Sequence, residues 1–259
     1  MLVAERAGCS REHAQALVLA GLVRVDGVPH TKSGSFVGID VNLEIEGGAR
    51  FVSRGGLKLE HALQEFGWQV EGLKCLDVGA STGGFTDCLL QRGAASVTSV
   101  DVGYGQLAWR LRNDPRVTVV ERCNFRSADV AVLGAPFAFL CADVSFISLS
   151  KLCGNFAAAL SQDGKAVCLI KPQFEAGRAA VGSGGVVRDP AAQTAAIESV
   201  MTAFAAAGLT PLELTHSPVK GPAGNIEFLL GATRGDAPPA RAELDVAGTV
   251  RRAHETLDT

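Results

Sequence analysis

Leu76-Asp-Val-Gly-Ala-Ser-Thr-Gly-Gly-Phe-Thr-Asp87 is the stretch on which the fold turns. An apolar run from Lys74 to Val78 has the composition of a buried strand. It stops at Gly79, and a helix-like pattern (Phe85, Cys88, Leu89) resumes after Gly83-Gly84. Glycine lets a backbone turn sharply and approach a ligand that side chains would hold off. A dinucleotide-binding turn has the spacing G-x-G-x-x-G, with a pyrophosphate on the helix N-terminus. Gly79, Gly83 and Gly84 lack that spacing, and Asp77 sets a negative charge at the mouth of the turn. An acidic strand end suits a cationic or hydroxyl-rich ligand better than a diphosphate. S-Adenosylmethionine, with its sulfonium, amino group and ribose, is such a ligand.

From Lys74 onward, strand-like and helix-like segments alternate. Strands are expected at Lys74–Val78, 96–102, 117–122, Phe137–Ala142, 165–170, 212–215 and 227–232. They are short, rich in Val, Leu and Ile, and mostly apolar on both faces, as strands covered by helices on both sides are. Helices are expected at 84–92, 106–112, 149–160 and 191–207. The last opens on Asp189-Pro190, an N-cap followed by a first-turn proline, and closes at Gly208. Such alternation implies a doubly wound α/β sheet with its ligand crevice at the carboxyl ends of the strands.

The first 49 residues differ. Ser10 reads as the N-cap of an amphipathic helix (Ala14, Leu17, Val18) that ends near Gly21. Short β-like pieces follow at 22–25 and 41–45, with a turn at Asp26-Gly27, and Gly47-Gly48 closes the unit. A helix from Gly56 to Phe66 leads into the main sheet. The expected division is a small α+β domain at 1–49, a linker at 50–55, the α/β domain at 56–234 and a solvated tail with one short helix at 235–259.

At 259 residues, 47% apolar and 20% charged, the chain has the composition of a globular protein with a sizeable core. No apolar run reaches the roughly 18 to 20 residues of a bilayer span, and no secretory leader opens the chain. A cytoplasmic protein with no membrane partner is the expectation. Seven cysteines are scattered through apolar runs without a C-x-x-C, and the five histidines lie far apart. They read as core residues, with neither a metal nor a disulfide framework expected. The net charge of −3 restricts any polyanion surface to a local patch. Arg110, Arg112, Arg116, Arg122 and Arg126 form one candidate, and Arg50, Arg54 and Lys58 another.

Ser10-Arg-Glu-His-Ala-Gln-Ala-Leu-Val-Leu-Ala-Gly-Leu-Val-Arg-Val-Asp-Gly-Val-Pro29 resembles the alpha-L RNA-binding motif, with a first helix that looks clipped at its start. In that family the helix and the following hairpin present basic residues to structured RNA. The resemblance implies RNA contacts from Arg6, Arg11, Arg24 and Lys32, with Arg54 of the linker. The remainder resembles FtsJ-type ribose 2′-O-methyltransferases. Together with the N-terminal module, Arg50-Phe-Val-Ser-Arg-Gly-Gly-Leu-Lys-Leu59 and Ile170-Lys-Pro-Gln-Phe-Glu175 make it most similar to the TlyA/haemolysin A family of rRNA methyltransferases. The segments 175–189 and 217–225 look like that family too. The resemblance implies a Rossmann-like, seven-stranded S-adenosylmethionine-dependent methyltransferase sheet. It also implies ribosomal RNA or a ribosomal subunit as partner, and a ribose, expected to be a cytidine's, as the acceptor.

FtsJ-like enzymes use a Lys-Asp-Lys-Glu tetrad, and the resemblance assigns it to Lys58, Asp143, Lys171 and Glu227. Three of these stand at strand ends, and Pro172 halts the strand after Lys171. A ribose hydroxyl becomes an effective nucleophile as it loses its proton, and Lys171 is the expected base. Asp143 and Glu227 are expected to hold the lysines and the hydroxyl in line. For the cofactor, the turn Asp77, Gly79, Ala80, Ser81, Thr82, Gly83 and Gly84 is expected at the methionine end, beside Asp143. Asp101 is expected at the ribose hydroxyls, and Asn124 at the adenine amino group.

Other chemistries fit less well. An amino-directed methyltransferase carries Asn/Asp-Pro-Pro-Tyr/Phe where this chain has Asp143-Val-Ser-Phe146. A cytosine-C5 enzyme needs a cysteine nucleophile. Cys141 is nearby, but within a strand and without the usual preceding proline. A non-catalytic RNA- or ribosome-binding assembly factor is the alternative from another class, and the intact glycine turn and tetrad argue against it.

Overall fold

The structure is a computed structural model that describes residues 2–7, 11–45, 50–235 and 243–258. Ser10, Gly47-Gly48 and the prolines of the 235–239 segment lie outside the described residues. The small unit contains helices α1 (Leu2–Ala7) and α2 (Arg11–Leu19) and strands β1 (Val23–Val25), β2 (Val28–Pro29) and β3 (Leu43–Ile45). Its antiparallel sheet runs β2-β1-β3. Leu17, Val18 and Val23 form its core, a minor one beside the two cores of the large sheet. Gly21, in the left-handed region at φ 72°, ends α2, and its amide donates to Val18.

The large sheet contains β4 (Lys74–Val78), β5 (Ser96–Val100), β6 (Val117–Val120), β7 (Phe137–Ala142), β8 (Leu160–Ile170), β9 (Leu209–His216) and β10 (Phe228–Arg234). Their order is β6-β5-β4-β7-β8-β10-β9. β4 to β8 are parallel, and β10 runs antiparallel to both its neighbours. Helices α3 (Gly55–Glu65), α4 (Gly84–Gln91) and α5 (Trp109–Arg112) bring residues to one face. α6 (Cys153–Ala159), α8 (Pro190–Ala206) and α9 (Val246–Leu257) do so on the other, and α7 (Pro172–Glu175) follows β8 directly. Alternation along the strands feeds two cores: Phe137, Leu140 and Ala142 of β7 enter one, Phe139 and Cys141 the other. The expected seven-stranded α/β sheet is therefore present, with its order reversing between β4 and β7. That reversal opens the crevice at the strands' carboxyl ends.

Two segments pack more closely than their sequences suggest. Phe51 and Val52 are buried in the same core as α3 and α4, so this end of the expected linker is held fast. A Cβ on Gly56 would lie 2.2 Å from the Phe51 ring, and one on Gly84 the same distance from Ser53 Oγ. The tail is a correction. Its described part is not solvated, because Val246, Val250 and Ala253 lie in the core against α8 and β9, and Leu257 packs beside them. Their spacing of four, three and four residues forms one apolar helix face. Asp245 caps the helix through Gly248 N at 2.8 Å. Lys220 pairs with Asp258 at 2.7 Å, and His254 Nε2 lies 2.9 Å from Gln193 Oε1. Val250→Ala is expected to lower unfolding stability by about 2 kcal/mol in urea titration. Arg251→Ala, on the exposed face, should stay within about 0.5 kcal/mol; equal effects would contradict the docked helix.

Candidate active site

The β4–α4 turn is built from alternating left-handed residues: Gly79 (φ 82°), Ser81 (φ 48°) and Gly83 (φ 97°). The glycines serve packing as much as ligand access. A Cβ on Gly79 would stand 2.5 Å from the Asp143 carbonyl oxygen, and one on Gly83 would meet Leu111 at 2.3 Å. Asp101 ties the turn to the next strand's end, accepting from Ser81 N at 2.8 Å and Gly103 N at 2.6 Å. Asn124 Oδ1 accepts from Arg126 N at 3.1 Å and caps a short 3-10 turn.

A cavity of about 500 Å³ opens here, lined by Gly79, Ser81, Asp101, Asn124 and Asp143 together with Val78, Val100, Val102 and Phe146. Its size lies within the roughly 300–1,000 Å³ of small-molecule sites. A second cavity of about 180 Å³ adjoins it, sharing Gly79, Ser81, Asp143 and Ser145 and adding Ala80, Thr82, Gly84, Ser53 and Lys171. The donor set fits S-adenosylmethionine. Asp101 and Asp143 offer carboxylate acceptors suited to ribose hydroxyls and an ammonium, Val78, Val100 and Val102 offer apolar wall suited to a flat ring, and among the described residues Asp143 Oδ1 is buried without an aligned hydrogen-bond donor. Asp101, Asn124, Asp143 and the turn would hold it.

Asp77 is placed differently from the sequence expectation. It is completely buried and does not line either cavity. It points from β4 toward the start of α4, where Oδ2 accepts from Thr86 N at 2.9 Å and Thr86 Oγ1 at 2.6 Å. The helix N-terminus gives the carboxyl a partner, and Thr86 Oγ1 in turn lies 2.7 Å from Ser99 Oγ. Among the described residues Asp77 Oδ1 has no hydrogen-bond partner. Burial pushes the Asp77 pKa up to about 7, Asp143 adds to the rise, and the Thr86 bonds oppose it.

The four tetrad residues form two ion pairs. Lys58 Nζ lies 2.5 Å from Glu227 Oε2, with both side chains buried. Lys171 Nζ lies 2.6 Å from Asp143 Oδ1 and donates a hydrogen bond to Ser145 Oγ at 2.8 Å. Phe228 faces Ile170 across β10 and β8; one residue further, the same register sets Glu227 beside Lys171. The pairs therefore stand at adjacent strand ends. Lys171 and Asp143 line the smaller cavity, and Lys58 and Glu227 do not. Gly221 covers Glu227 so closely that a Cβ would sit 2.5 Å from Oε1.

Several arginines of the expected basic patch are neutralised within the chain. Arg110 pairs with Asp87, Arg112 with Glu121, Arg116 with Asp114, and Arg50 with Glu60. Arg122 lies over the Tyr104 ring at 4.2 Å, and Arg126 lines the larger cavity. Arg54 is exposed at the start of α3. In the small unit Arg11 and Lys32 line one cavity of about 320 Å³. Arg6 donates to the Ile39 carbonyl at 3.2 Å, and Arg24 is half-buried on β1. Cys141 is fully buried and its thiol donates to Leu76 O at 3.6 Å. Burial raises its pKa well above the ordinary thiol value, which disfavours the thiolate. Sequence reasoning missed Ser145 and Ser53 on the cavity walls; Ser145 stands two residues beyond Asp143, where the signal lay.

Residues 51–234 match the family model for FtsJ-like methyltransferases. The chain belongs to that family. The 16S/23S rRNA (cytidine-2′-O)-methyltransferase TlyA of Mycobacterium tuberculosis is 45% identical over 223 residues, covering 85% of this chain and 83% of that protein. Haemolysin A of Brachyspira hyodysenteriae is 42% identical over 221 residues, covering 85% and 92%. A solved structure of a candidate haemolysin from Streptococcus thermophilus superposes with a TM-score of 0.78 at 40% identity, covering 99% of this chain and 95% of that one. The expected resemblance to the TlyA/haemolysin A family is borne out, and the FtsJ-like chain is a methyltransferase. Among the described residues no helix is long and apolar enough to cross a membrane.

The buried Asp77 carboxyl makes a pH prediction. Its folded pKa of about 7 lies above the ordinary 3.8, so the folded state holds the extra proton between those values. The stability that accompanies the protonated form is complete below about pH 4 and is lost as pH rises through 7. Asp77→Asn keeps an acceptor for Thr86 and cannot ionise. Its stability relative to the unsubstituted protein should rise by up to about 4 kcal/mol between pH 4 and pH 7 and level off above. Urea titrations across that range check this, and a pH-independent difference would contradict it.

Proposed function

We propose that this protein transfers a methyl group from S-adenosylmethionine to a ribose 2′-hydroxyl of ribosomal RNA, with cytidine as the acceptor nucleoside and Lys171 as the general base. The observation that carries the reading is the Lys171–Asp143 pair at 2.6 Å on the wall of a cavity that adjoins the cofactor-sized one. The kinship with TlyA, named for cytidine 2′-O-methylation of 16S and 23S rRNA, supports the acceptor and nucleoside.

S-Adenosylmethionine supplies the electrophilic methyl group on its sulfonium. Lys171, in its amine form, takes the proton of the 2′-hydroxyl. Lysine's ordinary pKa of about 10.4 makes that form scarce near neutrality, so an enclosed site that disfavours the ammonium would promote the reaction. Asp143 lines both cavities and holds the lysine close by charge attraction. Lys58 and Glu227 hold the adjacent strand ends in place, and Glu227 lies 2.5 Å from its lysine partner.

In the same proposal residues 1–49 form an RNA-binding domain. Arg6, Arg11, Arg24 and Lys32, with Arg54, contact phosphates and so position the ribosomal RNA or subunit rather than read its sequence. Residues 50–55 join this domain to a catalytic one at 56–234, and the reaction takes place in the cytoplasm. The alternative of a non-catalytic assembly factor predicts no cofactor binding. The alternative of Cys141 as a C5 nucleophile is disfavoured by the depth of its thiol.

The test is tritiated methyl transfer to ribosomal subunits from cells lacking the protein, followed by mapping of 2′-O-methyl groups. Lys171→Ala is expected to lower turnover about 100-fold or more, with cofactor affinity by calorimetry within about threefold. Near-normal turnover of that variant would remove the base assignment, and methyl groups mapping to bases would remove the ribose reading.

A further inference from the structure

The pairing of Lys171 with Asp143 is short but poorly aligned: the nitrogen is 2.6 Å from Oδ1, yet among the described residues that oxygen has no hydrogen bond of acceptable angle. Charge attraction of this kind holds the ammonium near the carboxylate without fixing where its N–H bonds point. Among the described residues the aligned hydrogen bond on Nζ goes to Ser145 Oγ, at 2.8 Å. Ser145 is also one of the few side chains that line both cavities. Its loop is pinned from the far side, because Glu175 accepts from Ser148 Oγ at 2.6 Å and Leu149 N at 2.9 Å. The hydroxyl therefore has a fixed place between the cofactor-sized cavity and the lysine.

We infer that Ser145 is the positioning residue that aims the Lys171 lone pair at the acceptor hydroxyl. The inference rests on the reading of Lys171 as the base. A neutral lysine carries two N–H bonds and one lone pair in a tetrahedral arrangement. The Ser145 oxygen accepts one N–H at 2.8 Å and so sets the rotation about Cε–Nζ, the nearby Asp143 carboxylate draws the second N–H to its side by charge alone, and the lone pair takes the remaining direction. In the transfer, the ribose O–H bond breaks as an N–H bond forms on Nζ, and the electron pair left on the ribose oxygen forms the O–CH3 bond while the bond from that methyl group to the sulfonium breaks, its pair remaining on sulfur as a neutral thioether. Without Ser145, one N–H is released and the lone pair is free to turn away. Ser145 acts through Lys171 and itself gains no proton.

Two variants at 145 and one at 171 test this in the full-length protein, using ribosomal subunits from cells lacking it as methyl acceptor. Ser145→Ala should lower kcat about tenfold, while the KM for subunits and the cofactor Kd stay within about twofold. Ser145→Thr keeps the hydroxyl at a solvent-exposed position and should recover turnover to within about threefold of the starting protein. Full turnover in Ser145→Ala, a Thr variant as slow as the Ala variant, or a loss seen wholly in KM would each overturn the assignment. Lys171→Ala separates the two readings. If it is inactive while Ser145→Ala is normal, the base stands and the positioning role falls; if both are normal, the base reading itself has failed.

Discussion

Gly79 lies so close to the end of β7 that a Cβ would stand 2.5 Å from the Asp143 carbonyl oxygen. Everything at the carboxyl edge of the sheet follows from this approach. The turn must lean across the reversal point between β4 and β7, and it can do so only with a residue that has no side chain and tolerates a φ of 82°. Asp143 N donates to Val78 O at 3.0 Å, so the two strand ends are bonded as well as touching. With the turn held there, Ser81 N reaches Asp101 and the crevice acquires its acidic wall. An alanine at 79 would have to push β7 away, and Asp143 would move with it, off the lysine at the end of β8.

The ionisable groups are distributed by depth. Lys58 and Glu227 lie buried behind the crevice, where each makes the other tolerable; removing either leaves a stranded charge costing about 3–5 kcal/mol. Lys171 and Asp143 lie on the wall, partly open to the cavity. Asp77 is deepest, and burial is the largest of the influences on its carboxyl. The ionisable groups thus grade from structural to accessible across the edges of four neighbouring strands, β4, β7, β8 and β10. That gradient keeps acid and base groups within reach of one another without all facing a ligand.

How far the sequence could be read follows from which forces are local. Lys74–Val78 and Phe137–Ala142 were legible to the residue because short, mostly apolar runs bounded by glycine or a charge have the length and flanks of buried strands. The lysine before Pro172 was equally legible, since proline stops the strand. Asp77 was misplaced because its partner, Thr86, comes from the following helix, and alternation along β4 points the side chain behind the turn. The α9 helix was underrated because its apolar face is thin, four residues in twelve, and becomes persuasive only where α8 and β9 wait to receive it. Ser145 carries no pattern of its own; its meaning arises from a lysine 26 positions later.

Pairing also decides which cations remain for a polyanion. A dense run of arginines between 110 and 126 suggests a basic face, but three of the five are engaged with Asp87, Glu121 and Asp114. Asp87 is bound by Val52 N as well as Arg110, so that arginine, though exposed, is tied to the start of the α/β unit. A guanidinium already paired has less to gain from a phosphate, because the intramolecular partner must first be given up. Arg122, over the Tyr104 ring, and Arg126, on the cavity wall, have no carboxylate within ion-pair distance among the described residues. Of the arginine run, these two are thus left without an internal carboxylate partner, while Arg110, Arg112 and Arg116 are committed to pairs within the fold.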